Sequence, residues 1–230
     1  MTNSGIYVII PAFNEALSIH KVIAKIPAIV DEVIVINNNS SDQTSESARN
    51  AGATVIDEPR QGYGFACLKG IDYLKDKPAK IVVFLDADYS DYPEELTEII
   101  KPIVKQNYDM VIGSRYLGHK ESGSMTPQQV FGNWLATKLI KLFFGVSYTD
   151  LGPFRAIKYN KLLALGMQDQ TYGWTVEMQL KAAKKGYKVT EVPVNYKVRI
   201  GKSKVSGTLK GTVMAGYKIL SWIFKYALKK

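Results

Sequence analysis

Cysteine is nearly absent from this chain of 230 residues. Cys67 stands alone, so no internal disulfide can form; a disulfide scaffold is excluded, and a reducing cytoplasm suits the chain. Acidic side chains are short too, with 21 Asp and Glu against 30 Lys and Arg and a net charge of +9. That balance points to anionic partners: phosphorylated substrates, an acidic membrane surface or nucleic acid. No apolar run fills the ~20 residues of a membrane span. The one candidate, the tail from Gly207 to Lys230, is cut by Lys218 and Lys225. No basic leader precedes the first apolar run, so no signal peptide is expected. Repeats and low-complexity linkers are missing as well, which excludes solenoids and tethered modules. What is left, at 46% apolar and 22% charged residues, is the composition of one globular domain.

Within that domain, short apolar runs alternate with helical patterns. Ile6 to Ile10 reads as a buried strand broken by Pro11-Ala12-Phe13-Asn14-Glu15; Leu17, Val22, Ile23 and Ile26 then recur at helical spacing, with Asn14 as a cap. Val33 to Ile36 is a second strand, ending in the polar cluster Asn37 to Asp42, where Ser41 or Asp42 caps a helix closed by Gly52. Ala53 to Ile56 is a third, and Gly62-Tyr63-Gly64 leads into a helix through Ile71 and Leu74. Such alternation predicts an α/β fold with a parallel, doubly wound sheet. Further on, Met110 to Gly113 is a strand, His119 to Gln129 a mobile loop over a site, and Phe131 to Phe144 an apolar helix. Thr149 to Ile157 is turn and strand, and Gly173 opens a helix ending near Gly186. Val189 to Tyr196 alternates, and Pro193 sends it to the edge of the sheet.

The chemistry concentrates where the strand Ile81 to Leu85 ends in Asp86-Ala87-Asp88. Side chains two apart on an extended chain point the same way, so these carboxylates can converge on one hard cation, which in turn calls for a phosphate. Ligands of open α/β sheets bind at the carboxyl ends of the strands, where this pair stands. In the tail, Lys210, Lys218, Lys225 and Lys229 fall on one side of a helical wheel, leaving a wide aromatic-rich face. A helix of that kind lies in a membrane interface, or packs on its own domain or a partner subunit.

Taken together, Pro11-Ala12-Phe13-Asn14-Glu15, the cluster Asn37 to Asp42, Asp86-Ala87-Asp88 and Gly113-Ser114-Arg115 resemble the glycosyltransferase family 2 nucleotide-sugar fold, most nearly the dolichyl- or polyprenyl-phosphate sugar synthases. The resemblance implies a GT-A fold: a Rossmann-like three-layer arrangement, its central sheet mainly parallel and its helices on both faces. It divides the chain into a glycosyltransferase domain over 1–206, with a nucleotide-sugar half (1–115) and an acceptor half (116–206), and a basic amphipathic helix over 207–230. It implies inverting transfer of glucose or mannose from a UDP- or GDP-hexose to a polyprenyl phosphate, with Mg²⁺ or Mn²⁺ as cofactor. The alternatives are a hydroxyl acceptor on the same fold and, in a different class, nucleotidyl transfer.

Carried over residue by residue, the resemblance makes Pro11, Ala12, Phe13, Glu15, Asn37 and Asn39 the donor's nucleotide contacts. Gly62 and Gly64 match a Gly-x-Gly that approaches the diphosphate, and Asp86, Ala87 and Asp88 form the metal motif, completed by Ser90, Asp91 or water. Arg115, Arg155, Arg199 and Lys204 lie in segments similar to those that meet the lipid phosphate, and Asp88, Arg115 and Arg199 are read as catalytic. A phosphate nucleophile is already anionic and needs positioning more than a base. A hydroxyl acceptor needs a base, for which Asp150 and Glu177 are the candidates, and Trp174 lines a pocket or packs in the core. An anionic membrane surface on the cytoplasmic face is the expected location, a homo-oligomer stays open, and nucleic acid is not an expected partner.

Overall fold

The computed structural model describes residues 4–201, 203 and 208–228. Its centre is a seven-stranded sheet of β1 (Ile6–Ala12), β2 (Glu32–Asn37), β3 (Thr54–Asp57), β4 (Ile81–Phe84), β5 (Met110–Ser114), β6 (Arg155–Lys158) and β7 (Val189–Pro193). The order across the sheet is β3-β2-β1-β4-β6-β5-β7. All neighbouring pairs are parallel except those of β6, which runs antiparallel to both β4 and β5. Because successive side chains on a strand face opposite ways, β1 divides its apolar residues cleanly. Tyr7 and Ile9 enter one core; Ile6, Val8 and Ile10 enter the other.

Helices cover both faces. α1 (Ile19–Ala24), α2 (Thr44–Asn50) and α4 (Leu96–Gln106) close one face with Ile19, Val22, Ala48, Leu96 and Ile99. α3 (Tyr63–Tyr73), α5 (Pro127–Phe144), α6 (Tyr159–Leu165), α7 (Trp174–Lys184) and α8 (Leu209–Leu228) close the other, with Cys67, Ile140, Leu162, Trp174 and Trp222 in its core. The expected α/β, three-layer, mainly parallel fold is what forms, and β7 does lie at the edge.

Two local expectations change. Asn14 does not cap α1: it sits at φ 55° and its Oδ1 accepts from Ser41 N at 2.8 Å, stapling the loop after β1 to the loop after β2. α5 begins at Pro127, earlier than the apolar pattern suggests, because Thr126 and Gln129 close a reciprocal capping box. That shortens the loop expected over His119 to Gln129.

The tail helix packs on α5 and α7, with Trp222 and Ile223 buried. Of the expected basic stripe, Lys218 turns inward, 3.4 Å from Asp169, Lys225 lies over the Trp222 ring at 4.5 Å, and Lys229 falls outside the described residues. Val213, Met214, Tyr217, Phe224 and Leu228 remain exposed, next to exposed Phe131, Trp134 and Leu142 of α5. Phe143 and Phe224, ring centroids 5.7 Å apart, join the two helices. Among the described residues no helix is long and apolar enough to cross a membrane.

β6 carries Arg155 into the core, fully buried. Its guanidinium donates to the carbonyls of Leu151 and Gly152 before the strand and of Thr175 in the first turn of α7. Burial without a carboxylate partner at hand lowers its pKa to about 10. Arg155 therefore ties the turn before β6 to α7 and does not reach an acceptor phosphate, contrary to expectation. Replacing it by Met should take this donor from the buried Leu151 and Gly152 carbonyls and cut the tie to Thr175, lowering stability by roughly 3 kcal/mol in urea unfolding; unfolding like wild type together with lost turnover would contradict this structural role.

Candidate active site

The carboxyl ends of β1, β2 and β4 open on one cavity of about 460 Å³. Pro11, Ala12, Phe13 and Glu15 supply one wall, Gly62 and Tyr63 another, and Asp86, Ala87 and Asp88 the floor. From the cluster after β2 it is Asn38 that lines the cavity. Asn37 is turned aside, donating to Asp57 Oδ1 at 2.8 Å, and Asn39 is exposed at φ 61°, a left-handed position that Asn tolerates. Asn38 itself accepts from Gly62 N at 2.8 Å and donates to the carbonyls of Glu58 and Arg60, so it fixes the loop leading into α3.

Gly62 lines the cavity, whereas Gly64 has a different role from the one expected. A Cβ on Gly64 would lie 2.0 Å from Asp169 O, and one on Gly62 2.3 Å from Gln170 O. The glycines admit the loop between α6 and α7, whose Gln170 and Thr171 carbonyls accept from Phe65 N (3.0 Å) and Gly64 N (3.3 Å). These first-turn donors of α3 are thereby spent on protein. Gly64 does not line the cavity, and the loop that displaces it contributes Thr171 and Tyr172 instead.

On the floor, negative charge is crowded. Burial, and then the neighbouring Asp88, push the Asp86 carboxyl up to about 7, although the Tyr63 hydroxyl donates to it at 3.1 Å. Asp88 accepts from Ser90 N (2.9 Å) and from the Ser90 hydroxyl, and pairs with Arg199 Nη1 at 3.0 Å. Arg199 Nη2 reaches Glu15 Oε1 at 2.8 Å, so one guanidinium joins the Pro11-to-Glu15 loop to the carboxylate floor. Ser90 is thus an orienting partner of Asp88. Asp91 is buried, with no hydrogen-bond partner for either oxygen among the described residues, and burial together with Asp86 and Asp88 holds its pKa well above the ordinary carboxylate value. Among the described residues no three His, Cys, Asp or Glu side chains form a ready-made metal cluster. The converging pair is what Mg²⁺ requires when ligand phosphates supply the remaining oxygens.

A second cavity, of about 340 Å³, meets the first at Tyr63, Asp86, Asp88, Thr171, Tyr172 and Arg199. Its far walls include Arg115, Trp174, Tyr196, Asn133 of α5 and Gly216 and Ile219 of α8. Arg115 grips Asp150 with two parallel bonds, Nε to Oδ2 and Nη2 to Oδ1, each 2.7 Å, and stacks on Tyr196 at 5.0 Å. Burial disfavours that guanidinium charge, but Asp150 more than restores it and raises the pKa. Glu191 in turn accepts from Thr149 N and Asp150 N. Glu177 is fully buried elsewhere, accepting from Gln168 N, Asp169 N and Lys181 Nζ. It lines neither cavity. Neither base candidate is thus free: Asp150 is committed to Arg115, and Glu177 holds a loop. Lys204 lies outside the described residues.

Tyr63, Thr171, Tyr172 and Tyr196 are site residues that the sequence reading passed over. Tyr63 carried a signal in its place between the two glycines and Tyr196 in its place at the end of the alternating run from Val189; Thr171 and Tyr172 sit in a loop without periodicity.

Comparison with known proteins agrees with this geometry. Residues 7–164 match the family model described as glycosyl transferase family 2. An uncharacterized glycosyltransferase of Mycobacterium tuberculosis is 33% identical over 217 residues, covering 94% of this chain and 96% of its own. A dolichyl-phosphate hexose transferase of Haloferax volcanii is 31% identical, covering 89% of this chain and 88% of its own. Among solved structures, glucosyl-3-phosphoglycerate synthase from Mycobacterium tuberculosis, in complex with Mn²⁺, UDP and phosphoglyceric acid, superposes with a TM-score of 0.77 at 20% identity over 97% of this chain and 78% of that one. At that identity the likeness shows the fold, which is GT-A. Nucleotidyl transfer is set aside. The chain belongs to glycosyl transferase family 2 and is a glycosyltransferase.

Proposed function

We propose that this glycosyltransferase moves a hexose, glucose or mannose, from a UDP- or GDP-hexose to a polyprenyl phosphate, inverting the anomeric centre. One observation carries the choice of acceptor. Apart from the Asp86–Asp88 pair, the described lining of the second cavity holds no carboxylate and no histidine, while it presents Arg115 and Arg199. A hydroxyl acceptor would lack a base there; a phosphate monoester needs none. The names of relatives lean the same way, a dolichyl-phosphate hexose transferase among them.

In this reading the cavity walled by Pro11 to Glu15 takes the nucleotide, and its diphosphate reaches the floor. Asp86 and Asp88 would hold Mg²⁺ or Mn²⁺, and the charge such an ion supplies would offset that of the diphosphate. The solved relative that carries Mn²⁺ and UDP supports the same cofactor and donor type. Arg199 keeps Asp88 and Glu15 in place, and Tyr63 orients Asp86. Arg115, made rigid by Asp150, faces the acceptor side and offsets repulsion between two phosphate-bearing substrates. The cavities meet at the carboxylates, and inversion requires the acceptor oxygen to approach the sugar from the side opposite the diphosphate.

The second cavity runs between α5 and α8, the helices with exposed Phe131, Trp134, Val213, Tyr217 and Phe224. An apolar rim around a cationic pocket suits a lipid phosphate whose chain stays in a bilayer, with the protein peripheral on an anionic surface.

Two experiments test the reading. With Mn²⁺ and a panel of UDP- and GDP-hexoses, nucleoside diphosphate release should rise at least tenfold on adding a short polyprenyl phosphate; release indifferent to the lipid phosphate would turn the acceptor into a hydroxyl. In flotation with anionic vesicles, Trp134→Ser combined with Tyr217→Ser should cut the bound fraction severalfold without changing the folded state, and equal flotation of both proteins would remove the membrane face.

A further inference from the structure

We propose that the C-terminal helix α8 sets the shape of the donor cavity from outside it, with Trp222 and Asp169 as positioning residues. The inference rests on reading that cavity as the nucleotide site. Trp222 lines neither cavity, and no described residue of α8 lines the donor one. Its link to the site is the loop between α6 and α7.

That loop is clamped on three sides. Glu177 of α7 accepts from Gln168 N and Asp169 N at its start. The first turn of α3 donates from Gly64 N and Phe65 N to its Thr171 and Gln170 carbonyls. The third clamp is α8. Asp169, buried in the middle of the loop, uses Oδ1 to accept from Thr171 N (2.8 Å) and Gly173 N (2.9 Å), which folds the loop on itself. Its Oδ2 accepts from the Trp222 indole N–H at 2.6 Å and lies 3.4 Å from Lys218 Nζ, both on α8.

Steric fit enforces the same geometry. A Cβ on Gly173 would meet the Trp222 ring at 2.4 Å, just as one on Gly64 would meet Asp169 O at 2.0 Å. The loop is wedged between α3 and α8 with no room on either side, and between those contacts it presents Thr171 and Tyr172 to both cavities. A displacement at Trp222 therefore travels through a short, fully packed path to the donor wall. Loss of the indole N–H would leave a buried carboxylate oxygen with Lys218 as its sole remaining α8 partner, and the loop would shift to compensate. Because α8 is also the helix with the exposed apolar face, the proposal makes the lipid-facing element and the donor pocket one mechanical unit.

The test is calorimetric titration of the full chain with Mn²⁺ and whichever of UDP or GDP the wild type binds. Trp222→Phe keeps the aromatic packing and removes the donor; Lys218→Met is the milder second variant. Ser221→Ala, on the same helix, where the hydroxyl bonds only to the Lys218 carbonyl, is the control. A positioning role predicts that Trp222→Phe weakens nucleotide binding about tenfold, Lys218→Met less and Ser221→Ala not at all, each at an unchanged stoichiometry of about one site per chain. A merely structural role would lower the number of competent sites while the affinity of those remaining stayed at the wild-type value. That result, or wild-type affinity and stoichiometry in both variants, overturns the proposal. If the wild type binds neither nucleotide with Mn²⁺, the donor reading itself falls and this inference with it.

Discussion

Two carboxylates at the end of a strand buried on both faces set the terms for everything around them. β4 ends at Phe84, and the turn through Ala87 and Asp88 that follows it sets Asp86 and Asp88 together on the cavity floor, where burial strengthens their repulsion. The rise of the Asp86 pKa to about 7 is the direct sign of that conflict, and Asp91 adds a third buried acid nearby. What surrounds the pair is arranged to offset it. Tyr63 donates to one carboxylate, Ser90 and Arg199 to the other, and the cation that completes the account is the one a diphosphate brings with it.

The basic excess of the chain takes on meaning only once burial is known. Arg115, Arg155 and Arg199 do three different jobs. Arg155 spends its donors on backbone carbonyls and holds β6 to α7. Arg199 bridges Glu15 and Asp88, so it belongs to the floor shared by both cavities. Arg115 is rigidly paired and lines the second cavity but not the first, and its partner Asp150 is thereby unavailable as a base. A site with cations and no spare base suits a nucleophile that arrives already charged.

The alternation of strands and helices was readable because each buried strand is a short apolar run and each turn carries its own polar residues, as in Ile6 to Glu15 and Val33 to Asp42. The DxD pair and the loop after β1 were readable for the same local reason. Less visible was where polar side chains in the middle of the chain send their hydrogen bonds. Arg155, Glu177 and Gly64 look functional by type and neighbourhood, but their partners lie at the Leu151, Gly152 and Thr175 carbonyls, the Gln168 and Asp169 amides and the Asp169 carbonyl, contacts that exist only after α7 and the loop before it have packed. Asn38 replaced Asn37 and Asn39 because strand pleat and one left-handed residue decide which of three adjacent amides faces the cavity. Thr171 and Tyr172 had no pattern to announce them.

The claim at the centre of this account is that the acceptor oxygen belongs to a phosphate and attacks opposite the departing diphosphate. Phosphorus and proton NMR of the purified product, formed from an α-linked nucleotide hexose and a short polyprenyl phosphate, examines both parts at once. The account predicts that the phosphomonoester resonance gives way to a phosphodiester and that the one-bond coupling between the anomeric carbon and its proton is that of the β-linked sugar. An unchanged phosphomonoester beside released nucleoside diphosphate, or an α-linked product, would contradict it.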